Sequence, residues 1–417
     1  MPVGVAKGSD PFVLFAARMA ALWPKSAPLG LAVSGGGDSL ALLHLARALN
    51  LHISVATVDH NLREGSRAEA KFVAALCQSF GIPHKILTWR SWDGRGNLQD
   101  QARRARYQLL AQWAESLGLE AIALGHTRDD LAETFLMRLG RSAGLDGLCA
   151  MQAKRSYLSK IWLRPLLEVP RVSLRDFLQT QGHDWLEDPS NDNAKFDRIR
   201  IRKAMVSLGE LGLDSATLAQ VAAQLGRARE ALAHQTHSFA QDHVQIIGPD
   251  VLLERASYSG APVELLRRSL LAAIMWVSSA EYGPRGANLA RGIQALLAGH
   301  SVPLAGCRLL VEDLNFRVTR EAKAASAPVP ATQVWDGRWQ AFGPNLADLT
   351  LGPLGAQGLL QVQSWRESGF GRVSLLASPA LWCRDTLIAA PFAGMSNNYR
   401  VSLIPNQKDF YHSLLPH

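Results

Sequence analysis

Apolar residues recur with two different periods along the chain, and the changes of period outline its architecture. Over residues 11–23 (PFVLFAARMAALW) they are spaced as on one face of a helix. Leu29 to Val33 is a short apolar strand that runs straight into Ser34-Gly35-Gly36-Gly37-Asp38-Ser39, and helical periodicity resumes at once in LALLHLARAL. A second strand, HISVATVDH, ends at Asp59-His60, and a helix from about Ser66 to Phe80 leads to a third apolar segment, Pro83 to Trp89. A helix from Leu98 to Leu117 precedes a fourth strand, Glu120 to Leu124, which ends at Gly125-His126. Strands alternating with helices predict βαβ units and a doubly wound parallel sheet. Ligands of such sheets sit beyond the carboxyl ends of the strands. The polar clusters at 34–39, 59–63 and 125–133 all fall at strand ends, so they are expected to converge.

Beyond about residue 205 the pattern changes. Residues 206–300 are rich in Ala and Leu and read as helical, without strand alternation. CRLLVEDLNFRVTRE (307–321) alternates as a hairpin does, with Leu309/Val311 and Phe316/Val318 on one side. Ala324 to Thr332, rich in Ala, Ser and Pro, reads as a linker, and the remainder carries many Gly, Pro and Trp residues. The expected architecture is therefore α/β. A doubly wound parallel-sheet catalytic domain (1–205) precedes a mainly helical domain (206–325) and a small mixed α/β domain (333–417).

The chain has 417 residues, 47% hydrophobic and 19% charged, which supports large cores and excludes wholesale disorder. Lys and Arg outnumber Asp and Glu by 44 to 36, an excess compatible with a polyanionic partner. Cys77, Cys149, Cys307 and Cys383 lie far apart, which disfavours a zinc ribbon, a thiol redox pair or a disulfide scaffold and predicts buried reduced thiols. Asp10 and Arg18 rule out a signal peptide at the N-terminus, and no run reaches the roughly 20 apolar residues of a membrane span. A cytoplasmic protein with no membrane association is expected; a dimer is one option for its oligomeric state.

The glycines of Ser34–Ser39, set between strand and helix, let backbone amides turn toward an anion at a helix N-terminus. Ser34 and Ser39 can add hydroxyl donors. No Lys follows the glycines, so this is not the loop of γ-phosphate hydrolases, nor does it fit G-x-G-x-x-G. His126, Asp129, Asp130 and Glu133 are spaced to share one helix face, where the carboxylates could hold a metal or an ammonium group. Arg103 and Arg106 share another face and could meet phosphates or a nucleotide. Lys195, Arg198, Arg200, Arg202 and Lys203 interleave with Phe196, Ile199 and Ile201, a pattern that can anchor a segment while presenting cations to a polyanion. Trp335, Trp339, Trp365 and Trp382 could stack bases but read as core.

Five segments in order carry a resemblance. SGGGDS resembles the pyrophosphate loop of the PP-loop ATP pyrophosphatase superfamily, whose members cleave ATP between the α and β phosphates. Val58-Asp59-His60-Asn61-Leu62-Arg63 resembles a VDHxLR segment, and residues 97–107 (NLQDQARRARY) an N-x-E-x-x-A-R-x-x-R-Y helix. Residues 124–134 (LGHTRDDLAET) resemble GHHxDDxAET. Arg164-Pro165-Leu166-Leu167, with Trp185 and Asp188-Pro189-Ser190-Asn191, completes the set. Together, over roughly residues 28–205, they are similar to the tRNA(Ile)-lysidine synthetase family. Thr127, Gln99 and Ser142 depart from its pattern, and Gln99 cannot carry charge where Glu is usual. The C-terminal half resembles the long form of the family through Trp335–Arg338 and Leu381–Pro391.

That resemblance implies an ATP-dependent ligase joining L-lysine to C2 of the wobble cytidine in the CAU anticodon of tRNA(Ile). An adenylated cytidine forms first and releases pyrophosphate; the lysine amine then displaces AMP. It implies catalytic roles for Asp38, Arg106, His126 and Asp130, and ATP binding by Ser34, Gly35, Gly36, Gly37, Asp38 and Ser39. Asp130 and Glu133 are favoured for lysine, Asp38 and Asp129 for Mg²⁺, and Arg103, Arg198, Arg200, Arg202 and Lys203 for tRNA. Two alternatives are another enzyme of the superfamily, such as a tRNA thiolase or an amide-forming synthetase, and an RNA-binding protein with a dead nucleotide site.

Overall fold

The computed structural model describes residues 10–25, 27–61, 65–90, 98–149, 151–187, 197–404 and 410–415. Leu62, Arg63, Asn97, Asp188–Asn191, Lys195 and Phe196, all named above, lie outside the described residues. The chain forms two compact units, Met1–Arg229 and Glu230–Pro416.

The first unit opens with α1 (Pro11–Leu22), started by Asp10, whose carboxylate accepts the Phe12 N–H at 2.8 Å, and by Pro11 at the first helical position. Phe15 and Met19, one turn apart, are its buried side chains. The βαβ series follows as β1 (Leu29–Ala32), α2 (Gly37–Ala48), β2 (Ile53–Asp59), α3 (Ser66–Ser79), β3 (His84–Thr88), α4 (Leu98–Ser116) and β4 (Ala121–Leu124). Then come α5 (Arg128–Leu139), α6 (Leu145–Leu148), the strands β5 (Lys154–Tyr157) and β6 (Lys160–Leu163), and the helices α7 (Arg171–Thr180) and α8 (Asp197–Glu210). The sheet order is β3-β2-β1-β4-β6-β5, parallel throughout except for the β5–β6 hairpin. This is the doubly wound sheet that the strand–helix alternation predicts.

Strand side chains sort by parity onto two cores. Leu29, Leu31, Ala121 and Ala123 join Leu40, Leu43 and Phe15 on one face. Ile122 and Leu124 meet Leu110, Trp113 and Trp162 on the other. The chain leaves β1 toward β2 on one side and reaches β4 on the other, so a topological switch point lies between β1 and β4. The loops after these two strands touch there through backbone. A Cβ on Gly125 would stand 3.0 Å from both the Asp38 carbonyl oxygen and the Ser39 Cα.

The division between the units falls inside α9 (Ser215–His243), past the 205/206 boundary suggested by composition. Leu218 and Ala222 of α9 form a small core with Ala132 and Phe135 of α5, flanked by Met205, and this holds the start of α9 to the first unit.

The stretch 206–300, most of which lies in the second unit, is not helical throughout. Val244–Ile247 (β7) and Asp250–Glu254 (β8) form a hairpin across Gly248-Pro249, with Gly248 at a φ of 55°. These strands were hidden because the apolar run Val251–Leu253 carries neither period clearly. The helices α10 (Arg255–Gly260), α11 (Val263–Ser278) and α12 (Gly286–Leu297) follow, then β9 (Val302–Leu304), β10 (Cys307–Val311) and β11 (Asn315–Arg320). The sheet order is β7-β8-β11-β10-β9, and β10–β11 is the hairpin read from alternation. The 324–332 segment is not a free linker: Val329–Pro330 pairs with Thr350–Leu351, and Ser326 donates to Asp336. Trp335 and Trp339 are buried, and Trp365 and Trp382 pack on a neighbouring apolar cluster, all as core residues. Arg338 is buried between the rings of Trp276 and Trp339, donating to the Val277 and Pro249 carbonyls. Three cysteines are buried thiols, but Cys383 is exposed, at the end of the strand Pro379–Cys383.

Gly125→Ala should therefore force the two switch-point loops apart and cost about 1–3 kcal/mol, the range for overpacking a rigid site. Gly144→Ala, whose Cβ would meet nothing within 4 Å, should be near neutral. Denaturant unfolding checks both; equal midpoints would remove the claimed backbone contact.

Candidate active site

The loop Ser34–Ser39 hands the chain from β1 to α2. Gly35 adopts a φ of 96°, a left-handed conformation that only glycine takes without strain. Gly36 is the N-cap of α2 and no side chain caps it, which leaves the helix N-terminus to a ligand. The Ser39 hydroxyl accepts the Ser34 N–H at 3.1 Å, donates to the Gly36 carbonyl at 2.9 Å and lies 3.2 Å from the Ser34 hydroxyl. Ser39 thus shapes the loop from within.

Above the loop lies a cavity of about 670 Å³. Ser34, Gly36, Gly37, Asp38 and Ser39 form its floor, and Ala32, Val33, Ala56, Val58 and Leu124 an apolar wall. His60, Gln99 and Arg106 line one side, and His126, Asp130, Arg171, Arg198 and Arg202 another. Residues from all three polar clusters therefore meet in one cavity. Asp59 is buried behind it, its carboxylate accepting from the Asn61 N–H and the Ser66 hydroxyl, which folds the end of β2 into a turn.

Arg171, at the start of α7, joins the floor to α5. Its Nε donates to Asp38 Oδ2 at 3.0 Å, Nη2 to Asp130 Oδ1 at 2.9 Å and Nη1 to Glu133 Oε1 at 3.0 Å. Its backbone N–H donates to Asp129 Oδ2 at 2.7 Å, so the Asp129 carboxylate faces the N-terminus of α7. Burial works against the Arg171 charge, but Asp130, Glu133 and Asp38 outweigh it and raise its pKa above the usual arginine value. Burial pushes the Asp38 carboxyl up, against the opposing pull of Arg171. Asp130 also closes a capping box: its Oδ2 accepts from the backbone N–H and the hydroxyl of Thr127, the N-cap of α5. The departure at Thr127 thus supplies a cap.

His126 does not share the helix face expected of it, because α5 starts two residues later at Arg128. Its Nδ1 accepts from Arg164 Nε at 3.2 Å. A guanidinium only donates, so Nδ1 is the unprotonated nitrogen and Nε2 carries the proton. Burial, reinforced by Arg164, Arg103, Arg106 and Arg198, holds the imidazole neutral, with its pKa well below the ordinary value. Arg164 is fixed in turn, donating to the Gln152 carbonyl at 2.7 Å and the Tyr107 hydroxyl at 3.3 Å. His126 is therefore built as a neutral N–H donor. His60 is likewise held neutral, pushed down to about 4 by burial and Arg106.

The basic residues read as one RNA-contacting set occupy different places. Arg198 donates to Glu133 Oε2 at 2.6 Å and Asp130 Oδ1 at 3.1 Å, and Arg202 to Glu133 Oε1 at 2.7 Å. Arg200 pairs with Asp197 at the surface and Lys203 is exposed. Arg103 lies along Tyr107, while Arg106 is exposed and lines the cavity. Arg171 and Arg164 were missed as functional residues. The available signal was an arginine directly after Pro170 at a helix start, where the dipole disfavours a cation unless carboxylates surround it.

A fit for Mg²⁺ can be tested on the donors present. Asp38 Oδ1 makes no hydrogen bond among the described residues and lines the floor, which suits an ion held by one carboxylate, phosphates and water. Asp129 is bonded to the α7 backbone and is not among the residues lining the cavity. Among the described residues, no cluster of three or more His, Cys, Asp or Glu is placed to hold a metal by itself.

In a ¹⁵N-histidine spectrum, His126 (assigned with His126→Asn) should show an unprotonated Nδ1 and a protonated Nε2, and should stay so through the pH range in which an ordinary histidine titrates, because its pKa is depressed well below the usual value. A titration midpoint near the usual histidine value, or the opposite tautomer, would contradict the geometry.

Comparison with known proteins places the chain in a family. A family described as "PP-loop domain" matches residues 14–208, which contain every cavity-lining residue named here. A tRNA(Ile)-lysidine synthase of Ruegeria pomeroyi is 47% identical over 93% of this chain and 94% of its own length. The enzymes of that name from Zymomonas mobilis and Brucella anthropi are 36% and 35% identical, over 68% and 87% of this chain and 85% and 84% of theirs. An ATP-type anion loop at the switch point of a PP-loop domain, within a likeness that runs nearly end to end, places this chain in the tRNA(Ile)-lysidine synthase family.

Proposed function

We propose that this protein ligates L-lysine to C2 of the wobble cytidine in the CAU anticodon of tRNA(Ile), consuming ATP and releasing AMP and pyrophosphate. The reading is carried by one observation: the anion loop, Asp130 and Arg171 line one cavity, and Arg171 joins Asp38 of the loop to Asp130 and to the buried Glu133 beside it. In the first step the cytidine C2 oxygen attacks the α-phosphate and the bond to pyrophosphate breaks. The amides of Gly35 to Gly37 and the N-terminus of α2 hold the departing phosphates. Mg²⁺, bound through Asp38, would supply neutralising charge at those phosphates. The apolar wall of Val33, Ala56 and Val58 offers a base-sized surface beside the loop.

In the second step the lysine ε-amine attacks C2, the C2–O bond to AMP breaks, and the amine sheds a proton. Asp130, with Glu133 joined to it through Arg171, receives the lysine, while His126 and Arg106 donate to the oxygens that gain charge. His126 cannot take the amine proton through Nδ1, which is already bonded to Arg164. Arg103, Arg198, Arg200, Arg202 and Lys203 serve the RNA backbone. No described helix is long and apolar enough to cross a membrane, and a tRNA substrate puts the reaction in the cytoplasm.

Labelled lysine should enter a tRNA(Ile) transcript with a CAU anticodon, given ATP and Mg²⁺, and not a tRNA(Met) transcript with the same anticodon. Asp38→Ala should cut tRNA-dependent pyrophosphate release by about a hundredfold or more, as loss of an electrostatic transition-state contact does. Equal labelling of both tRNAs, or an unchanged rate in Asp38→Ala, would overturn the proposal.

A further inference from the structure

The groups that the two substrates need are bonded to each other in this structure. Glu133 is 1% exposed, and both its oxygens are taken: Oε1 by Arg171 and Arg202, Oε2 by Arg198. Asp130 gives Oδ2 to the Thr127 cap and Oδ1 to Arg171 and Arg198. Three guanidinium groups face the three carboxylates of Asp38, Asp130 and Glu133, so the cluster is neutral. A lysine ammonium entering it would find every oxygen of Asp130 and Glu133 already engaged and no excess negative charge.

The three arginines are not equivalent. The Arg171 side chain is 17% exposed, belongs to α7 and is tied by its backbone N–H to Asp129. Those of Arg198 and Arg202 are 39% and 33% exposed and stand one turn apart on α8, between the carboxylates and solvent. Arg200 and Lys203 are exposed elsewhere on the same helix and add to its positive charge. Ile199 is buried and α8 packs on α5, so the two arginines can turn outward by side-chain rotation while the helix stays in place. An RNA backbone laid along α8 would offer their forks phosphate oxygens, which suit a guanidinium as well as a carboxylate does.

We propose that Arg198 and Arg202 close the lysine site of the RNA-free enzyme and open it by exchanging Asp130 and Glu133 for RNA phosphates. Arg171 stays behind, alone among three carboxylates, and the net charge of the cluster falls from zero to −2. That is an acceptor for a cationic amino acid, assembled only when the polyanion is bound. The two arginines are thus specificity-determining residues, admitting the amine once its acceptor nucleotide is present. The inference rests on the assignment of lysine to Asp130 and Glu133.

Calorimetric titration of L-lysine into the full-length enzyme with α,β-methylene-ATP, with and without the CAU tRNA(Ile) transcript, tests the exchange. Lysine should bind about tenfold or more tightly in the RNA complex, a shift the release of one or two partly exposed charge pairs can supply. Arg202→Gln and, separately, Arg198→Gln should strengthen lysine binding to the RNA-free enzyme while weakening tRNA binding and lowering its salt dependence by about one counterion each. Opposite signs for the two ligands are not what a merely structural defect gives. Equal lysine affinity with and without RNA, or no gain in either variant, would overturn the exchange. Glu133→Gln in the RNA complex separates the two claims. Unchanged lysine affinity there sinks the lysine assignment itself. Weakened affinity there, with no gain in the arginine variants, sinks the exchange alone.

Discussion

The site depends on one side chain, Arg171, which holds three carboxylates from two elements. Asp38 belongs to the first turn of α2, and Asp130 and Glu133 to α5. Gathered together without a cation, they would repel one another and shed charge by protonation. A planar guanidinium with several donors in fixed directions can satisfy all three at once, which a point charge cannot. Because one of the three lies at the phosphate loop and two lie where lysine is proposed to bind, the same ion pairs that keep the cluster folded keep the two reacting ends in register. Buried charge clusters of this kind add little net stability but fix geometry.

The sheet makes this placement possible. The loops after β1 and β4 meet at the switch point, and the backbone contact at Gly125 sets Asp38 against the start of α5. Asp129 links the next layer: its carboxylate receives the first N–H of α7, so the helix that carries Arg171 is seated by the residue beside Asp130. Neighbouring acidic residues thus have separate tasks. Asp129 seats a helix, Asp130 caps one and pairs with arginines, and Glu133 accepts from three guanidinium groups.

Much of this was legible in the sequence. The parallel sheet followed from strand–helix alternation, and the anion loop from glycines placed between β1 and α2. The hairpin Cys307–Arg320 followed from period-two alternation. The hairpin Val244–Glu254 did not, because its second strand is uniformly apolar and sits among helices. The helix face drawn through His126 misplaced that residue, since Thr127 caps α5 and leaves His126 in the preceding loop. Arg171 and Arg164 escaped because their partners lie far away in sequence, and spacing reveals only neighbours on one element. For the same reason Arg198 and Arg202 read as purely RNA-facing, although Glu133, 65 positions before Arg198, binds both.

If Arg171 unites the phosphate loop with the carboxylates proposed to receive lysine, Asp130 and Glu133, the two halves of the reaction fail together when its fork is lost. The most direct measurement follows tRNA-dependent pyrophosphate release and labelled-lysine incorporation side by side in Arg171→Lys, which keeps the charge but not the fork. The account predicts that both rates fall together, by about a hundredfold or more, in a variant that still folds. Pyrophosphate release at the wild-type rate, with lysine transfer alone lost, would contradict it.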